Sequence, residues 1–118
     1  DYGENTEFAD ILAKAGELYM LQERYTDAVT MYDKAAELYA GLFGKEDEKY
    51  CDMVINGCNA LIKDEKYNEA AQRIENADSF CGREEEFKRL LTSAYKSMGA
   101  FGKLVKLKMA KNMGKSKK

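Results

Sequence analysis

The side chains that could carry chemistry in this sequence are few. The 118 residues contain no His and only three cysteines, Cys51, Cys58 and Cys81. No second ligand stands at zinc-site spacing from any of them, so we expect no metal and no cofactor. The acidic run at 84–86 precedes a helical pattern, where the helix dipole accounts for it. Without a glycine-rich phosphate loop, the sequence predicts a protein that is not an enzyme.

The odd number of cysteines predicts reduced thiols. Cys51 and Cys58 are seven positions apart and so share one face of a helix. We interpret them as small core residues, the alternative being a redox or ligand role. Reduced thiols are typical of the cytosol. Since no apolar run approaches the roughly 20 residues of a membrane span, we predict a cytoplasmic protein.

The elements that must position the remaining polar groups are repeated helix pairs. The sequence contains an apolar-periodic segment (54–61), a polar turn (63–66) and a second apolar segment that starts at Tyr67. The same arrangement recurs 42 positions upstream, around Tyr25. A weaker copy lies 34 positions downstream around Phe101. There is no Pro, and the composition favours helices. The sequence therefore predicts an all-α protein.

The periodicity predicts six helices in one domain. We expect them at about 6–21, 26–43, 47–62, 68–79, 84–98 and 101–112. The chain then divides into a flexible lead-in (1–5), a helical domain (6–112, with repeats at about 9–50, 51–84 and 85–112) and a basic disordered tail (113–118). Gly16 and Gly57 should allow close helix contacts, and Tyr25, Tyr67 and Phe101 should cover the turns. Each pair leaves one apolar face bare, so the pairs must stack.

The small and aromatic residues of these pairs resemble the tetratricopeptide repeat. The first pair carries Gly16, Tyr19, Tyr25, Ala28, Tyr32 and Ala35 on that pattern, the second Tyr67, Ala70 and Ala77, and the third Tyr95, Phe101 and Leu104. The 42-residue spacing, with Asn56 and the segment 66–70, is similar to the long repeats of kinesin light chain. A weaker similarity is to the soluble NSF attachment proteins. The resemblance implies a right-handed superhelical stack of three helix-turn-helix hairpins.

The resemblance also implies that the first helix of each pair lines a concave wall that binds a peptide or helix of a protein partner. Asn56 is the sharpest candidate, because a carboxamide both donates to and accepts from a peptide backbone. The alternative is a solvated Asn on an exposed helix. The candidate peptide-binding residues are Lys14, Glu17, Asp52, Ile55, Asn56, Asn59, Arg89 and Ser93.

The C-terminal part of the chain is strongly basic. All 21 acidic residues lie at or before Glu86, whereas ten of the 19 basic residues follow it. The basic surface candidates are Lys103, Lys106, Lys108 and Lys111. They could contact an acidic protein or an anionic membrane, or could simply solubilise a helix end. With no aromatic residue after Phe101 to stack on bases, we expect no specific nucleic acid.

Two functions remain open from the sequence. The first is a non-enzymatic adaptor or scaffold module that binds a partner's peptide on the concave face. The alternative is an assembly or vesicle-trafficking scaffold of the soluble NSF attachment protein type, acting through its convex surface and Lys-rich end. Because terminal repeats leave an apolar flank, we also expect a homo-oligomer or a place within a larger chain.

Overall fold

The computed structural model describes residues 2–77 and 79–99, which form five α-helices and no β-strand. The helices are α1 (Tyr2–Leu21), α2 (Tyr25–Phe43), α3 (Glu48–Lys63), α4 (Tyr67–Glu75) and α5 (Glu84–Met98). The all-α prediction is therefore confirmed for this part of the chain. The expected sixth helix, the ring of Phe101 and the tail at 113–118 lie outside the described residues.

Helices that are adjacent in sequence pack against each other, and α3 is central. α2 contacts α1 and α3, while α5 contacts both α4 and α3. One core cluster joins Tyr32 and Tyr39 of α2 to Leu61 of α3. A second cluster joins Ile74 of α4 and Phe87 of α5 to the same α3. Since α3 buries side chains in both clusters, it couples the first helix pair to α4 and α5.

The turns after α1 and α3 have the same backbone geometry. Glu23 and Glu65, 42 positions apart, both adopt left-handed conformations with φ of 60° and 63°. The matching hydrogen bonds run from Arg24 N to Tyr19 O at 2.9 Å and from Lys66 N to Leu61 O at 2.8 Å. The repeat that the sequence predicts is thus a repeat of turn geometry. Tyr25 and Tyr67, which follow these turns, are half-buried as expected.

A residue with positive φ also lies where the third turn is expected. Gly99 has φ of 74° and lies 34 positions after Glu65, the predicted spacing of the third copy. Glycine adopts this conformation without the steric penalty of a Cβ. α5 ends directly before it, at Met98. The fifth helix therefore stops at the position that the repeat pattern predicts.

Several helix boundaries differ from the prediction. α1 begins at Tyr2, so residues 2–5, expected as a flexible lead-in, are helical, and Glu4 lies favourably in the first turn. α4 ends at Glu75 instead of Ser79. Asn76 is its C-cap residue, and the backbone N–H of Asn76 donates to the carbonyls of Gln72 and Ile74. Short polar side chains such as Asn favour helix ends over helix interiors.

The two glycines expected at close helix contacts differ. A Cβ on Gly16 would lie 2.6 Å from the ring of Tyr32, so α1 and α2 approach too closely there for any side chain. A Cβ on Gly57 would instead lie 3.8 Å from Arg73 and 3.9 Å from Asp33, an ordinary contact. The expected close helix contact is therefore confirmed at Gly16. Gly57 lies near the Arg73–Asp33 ion pair, where a Cβ would fit without a clash.

We expect Gly16→Ala to lower the free energy of unfolding by about 1–2 kcal/mol. Forcing a methyl group against Tyr32 costs roughly 1–3 kcal/mol, and the better helix propensity of Ala returns up to about 1 kcal/mol. Gly41→Ala is the matched control, because nothing lies within 4 Å of its Cβ position. It should gain about 0.5–1 kcal/mol. Urea unfolding measures both, and two changes of the same sign would contradict the close contact.

The cysteine prediction is wrong for two of the three thiols. Cys51, in the first turn of α3, forms a disulfide with Cys81, in the loop before α5, with a Cα–Cα distance of 6.5 Å. Only Cys58 is free, and it is buried. The spacing of Cys51 and Cys58 could not reveal a bond whose partner is brought close by α4 and its loop. The cytoplasmic prediction therefore loses the support of reduced thiols, since disulfides are typical of oxidising compartments.

Candidate functional site

The predicted peptide-binding residues lie on α1, α3 and α5, the first helices of the three expected pairs. Lys14 and Glu17 on α1 are exposed and form an ion pair at 3.9 Å. Arg89 and Ser93 on α5 are also exposed. We use the name first-helix face for the polar positions among them, which are Lys14, Glu17, Asp52, Asn56, Asn59, Arg89 and Ser93.

Asn56 and Asn59, both on α3, are half-buried. Within residues 2–77 and 79–99, neither side chain forms a hydrogen bond to another residue. No buried polar atom of the described side chains lacks a partner, so both carboxamides reach solvent. Their donors and acceptors are therefore available to an incoming backbone.

Two of the predicted residues are occupied by other contacts. Ile55 is only 6% exposed and packs in the second core cluster beside Phe87, so it presents little surface to a ligand. Asp52 accepts a hydrogen bond from Arg83, which also donates to Glu86 at 2.6 Å. Asp52 is thus a link between α3 and the start of α5, and its carboxylate is partly satisfied.

An ion pair recurs at equivalent positions along the first-helix face. Asp10 on α1 pairs with Lys49 of α3 at 3.7 Å, and Asp52 on α3 pairs with Arg83 before α5. The acids are 42 positions apart and the bases 34, which are the offsets of the predicted repeats. These half-exposed pairs add little stability, but they fix the alignment of one first helix beside the next.

Tyr39 reinforces the first of these pairs. Its hydroxyl donates to Asp10, and Lys49 lies 5.5 Å from the centre of its ring. Burial and the bond to Asp10 raise the pKa of Tyr39 above its usual value. The phenol therefore stays protonated and keeps its donor directed at Asp10.

A groove between α2 and α4 is the feature that the sequence did not indicate. It has a volume of about 590 Å³, and α3 contributes Tyr50 and Val54 to its lining. The guanidinium of Arg73 on α4 donates two hydrogen bonds, of 2.7 and 3.0 Å, to the carboxylate of Asp33 on α2. That bond raises the pKa of Arg73 and keeps the guanidinium charged. The 40-residue separation of the pair matches neither repeat offset, so no sequence signal could have found it.

Comparison of the chain with protein-family models, curated proteins and solved structures finds no match. The resemblance to tetratricopeptide repeats therefore stays a prediction from residue pattern.

Among the described residues, no group of three or more Cys, Asp or Glu side chains could hold a metal ion. Burial raises the pKa of the free Cys58 thiol to about 11, so it is not a thiolate at neutral pH. No described helix has the length and apolar character needed to cross a membrane. The basic candidates Lys103, Lys106, Lys108 and Lys111 lie outside the described residues.

Proposed function

We propose that this protein is a non-enzymatic adaptor of tetratricopeptide-repeat type that binds an extended peptide of a partner protein on the first-helix face. In this proposal the helix pairs stack as a right-handed superhelix, with α1, α3 and α5 on its concave side. Asn56 and Asn59 hold the peptide backbone. Lys14, Glu17 and Arg89 select charged side chains on either side.

The observation that supports the proposal most directly is that two half-buried carboxamides have unused hydrogen-bond donors and acceptors. Asn56 and Asn59 are half-buried and have no partner among the described residues, yet ion pairs from Lys49 and Arg83 align the neighbouring helices around them. Lys14 and Glu17 precede them by 42 positions each, so equivalent positions of the first two repeats are polar. A row of aligned donors and acceptors suits the evenly spaced groups of an extended backbone.

The test is a displayed library of random 15-residue peptides, selected on the full chain and then measured against variants. Asn56→Ala combined with Asn59→Ala should weaken selected peptides by about tenfold or more, since each lost hydrogen bond leaves a desolvated group unpaired. Asn68→Ala, at an exposed position on α4, is the control and should leave affinity unchanged. Circular dichroism verifies the fold. Failure to select any peptide, or equal binding by the double variant, would remove the proposal.

The groove between α2 and α4 favours a second candidate, a scaffold that binds its partner through the second helices. Its lining combines apolar side chains such as Ala36 and Val54 with the carboxylates of Glu37 and Glu69. Glu37→Lys would then abolish partner binding while the double Asn variant binds normally. The peptide-binding proposal expects the reverse pattern, so the same two variants separate the candidates.

A further inference from the structure

α1 presents an apolar stripe on the side that does not face α2. Four of its large side chains are more than half exposed, at spacings that place them on one side of the helix. They are Phe8 (54%), Ile11 (63%), Leu18 (59%) and Leu21 (82%), which we call the α1 stripe. The opposite side of α1 packs against α2 through residues such as Ala9 and Gly16. The exposed Lys14 lies between Ile11 and Leu18 on the same side. Exposed apolar side chains grouped on one side of a helix mark an interaction surface.

The charges on α1 indicate what would cover the stripe. α1 carries four acidic residues and only Lys14 as a base, all of them exposed. A complementary ligand is therefore both apolar and basic. Residues 101–118 have this chemistry, with seven lysines, no acidic residue, and the apolar residues Phe101, Leu104, Val105 and Leu107 at or near the lysines.

The position of α1 favours this segment from a second copy of the chain. α1 packs on α2 at one end of the helix order, whereas α5, from which the segment continues, packs on α4 and α3. The charge is also divided between an acidic stretch ending at Glu86 and a basic one after it. Opposite charge at the two ends favours head-to-tail contact between copies.

We propose that the chain associates head to tail, with residues 101–118 of one copy bound along the α1 stripe of the next. Apolar side chains of the segment cover Ile11 and Leu18, and its lysines pair with carboxylates such as Glu4 and Glu7. This association leaves Asn56 and Asn59 free, and it adjoins the proposed peptide site only at Lys14, which lies between Ile11 and Leu18 on α1.

Sedimentation velocity of the full chain over a concentration series measures the association. Wild-type protein should form dimers and longer species, and its dissociation constant should rise about tenfold or more between about 50 mM and about 500 mM salt. Two variants should each be monomeric. One is Ile11→Ser with Leu18→Ser, and the other is Lys103→Glu with Lys106→Glu. The matched control is Lys88→Glu with Lys96→Glu on exposed positions of α5, which should associate like wild type.

Mixing the two monomeric variants gives the decisive result. The stripe variant keeps an intact Lys-rich segment, and the segment variant keeps an intact stripe, so the mixture should form one-to-one dimers. A wild-type protein that stays monomeric at all concentrations and salts would overturn the proposal. So would a mixture that stays monomeric, because the intact segment and the intact stripe then do not bind each other. A segment variant that still self-associates would also overturn it, because that result indicates stripe-to-stripe contact.

Discussion

Replacing Phe87 by Ala is expected to lower the free energy of unfolding by about 3–5 kcal/mol. The Phe87 side chain is fully buried at the start of α5, and its ring lies 4.8 Å from that of Phe80. It packs in the cluster that joins α5 to α3 and α4. Because a domain of this size has only about 5–15 kcal/mol of net stability, the change should remove a large part of it.

Urea unfolding followed by circular dichroism measures the loss. Phe43→Ala is the matched control, since this ring at the end of α2 is 37% exposed and its truncation should cost about 1–2 kcal/mol. If Phe87→Ala does not fold, Phe87→Leu keeps most of the volume and should cost under about 1.5 kcal/mol. Equal losses for the alanine variants at 87 and 43 would show that the second cluster does not hold α5.

The fold was most predictable where local sequence alone determines geometry. Tyr25 and Tyr67 each follow a polar turn, and the two turns repeat at the predicted offset. Their geometry was predictable because the backbone hydrogen bonds of each turn join residues that are close in sequence. Helix ends were less predictable, as at Asn76, where a single polar residue stops α4 within an otherwise helical pattern. At α1 the helix is instead longer than predicted. Residues 2–5 are helical, although their composition did not indicate a helix.

The candidate site was predictable only in part, for a related reason. Helical periodicity predicted Asn56 and Asn59 on one side of α3, and both are half-buried there with carboxamides that reach solvent. Ile55 stands at a neighbouring position, but its burial depends on how α5 docks, which the sequence of α3 does not contain. The Arg73–Asp33 pair likewise depends on α2 and α4 flanking α3. The residue patterns therefore did not predict the side-chain contacts between one repeat and the next.

The disulfide is the strongest of these contacts between distant segments, and removing it is expected to cost about 3–4 kcal/mol. The bond closes a loop with a sequence separation of 30, and a loop of this length loses roughly that much chain entropy in the unfolded state. Cys51→Ser with Cys81→Ser should therefore unfold at lower urea under oxidising conditions. The bond joins the first turn of α3 to the loop before α5, so amide exchange should increase most in α5.

A reductant provides the control within the same experiment. A dithiol reductant should lower wild-type stability to that of the double serine variant and leave the variant unchanged. Cys58→Ala should keep the full response to reductant, because Cys58 is not part of the bond. Alkylation of the unfolded wild-type protein should modify one cysteine before reduction and three after it. Wild-type stability that does not respond to the reductant, together with three reactive thiols, would show that Cys51 and Cys81 are not bonded in solution. The position of α5 would then depend on its packing in the second cluster, with Phe87 at its start, and on the Arg83–Asp52 pair.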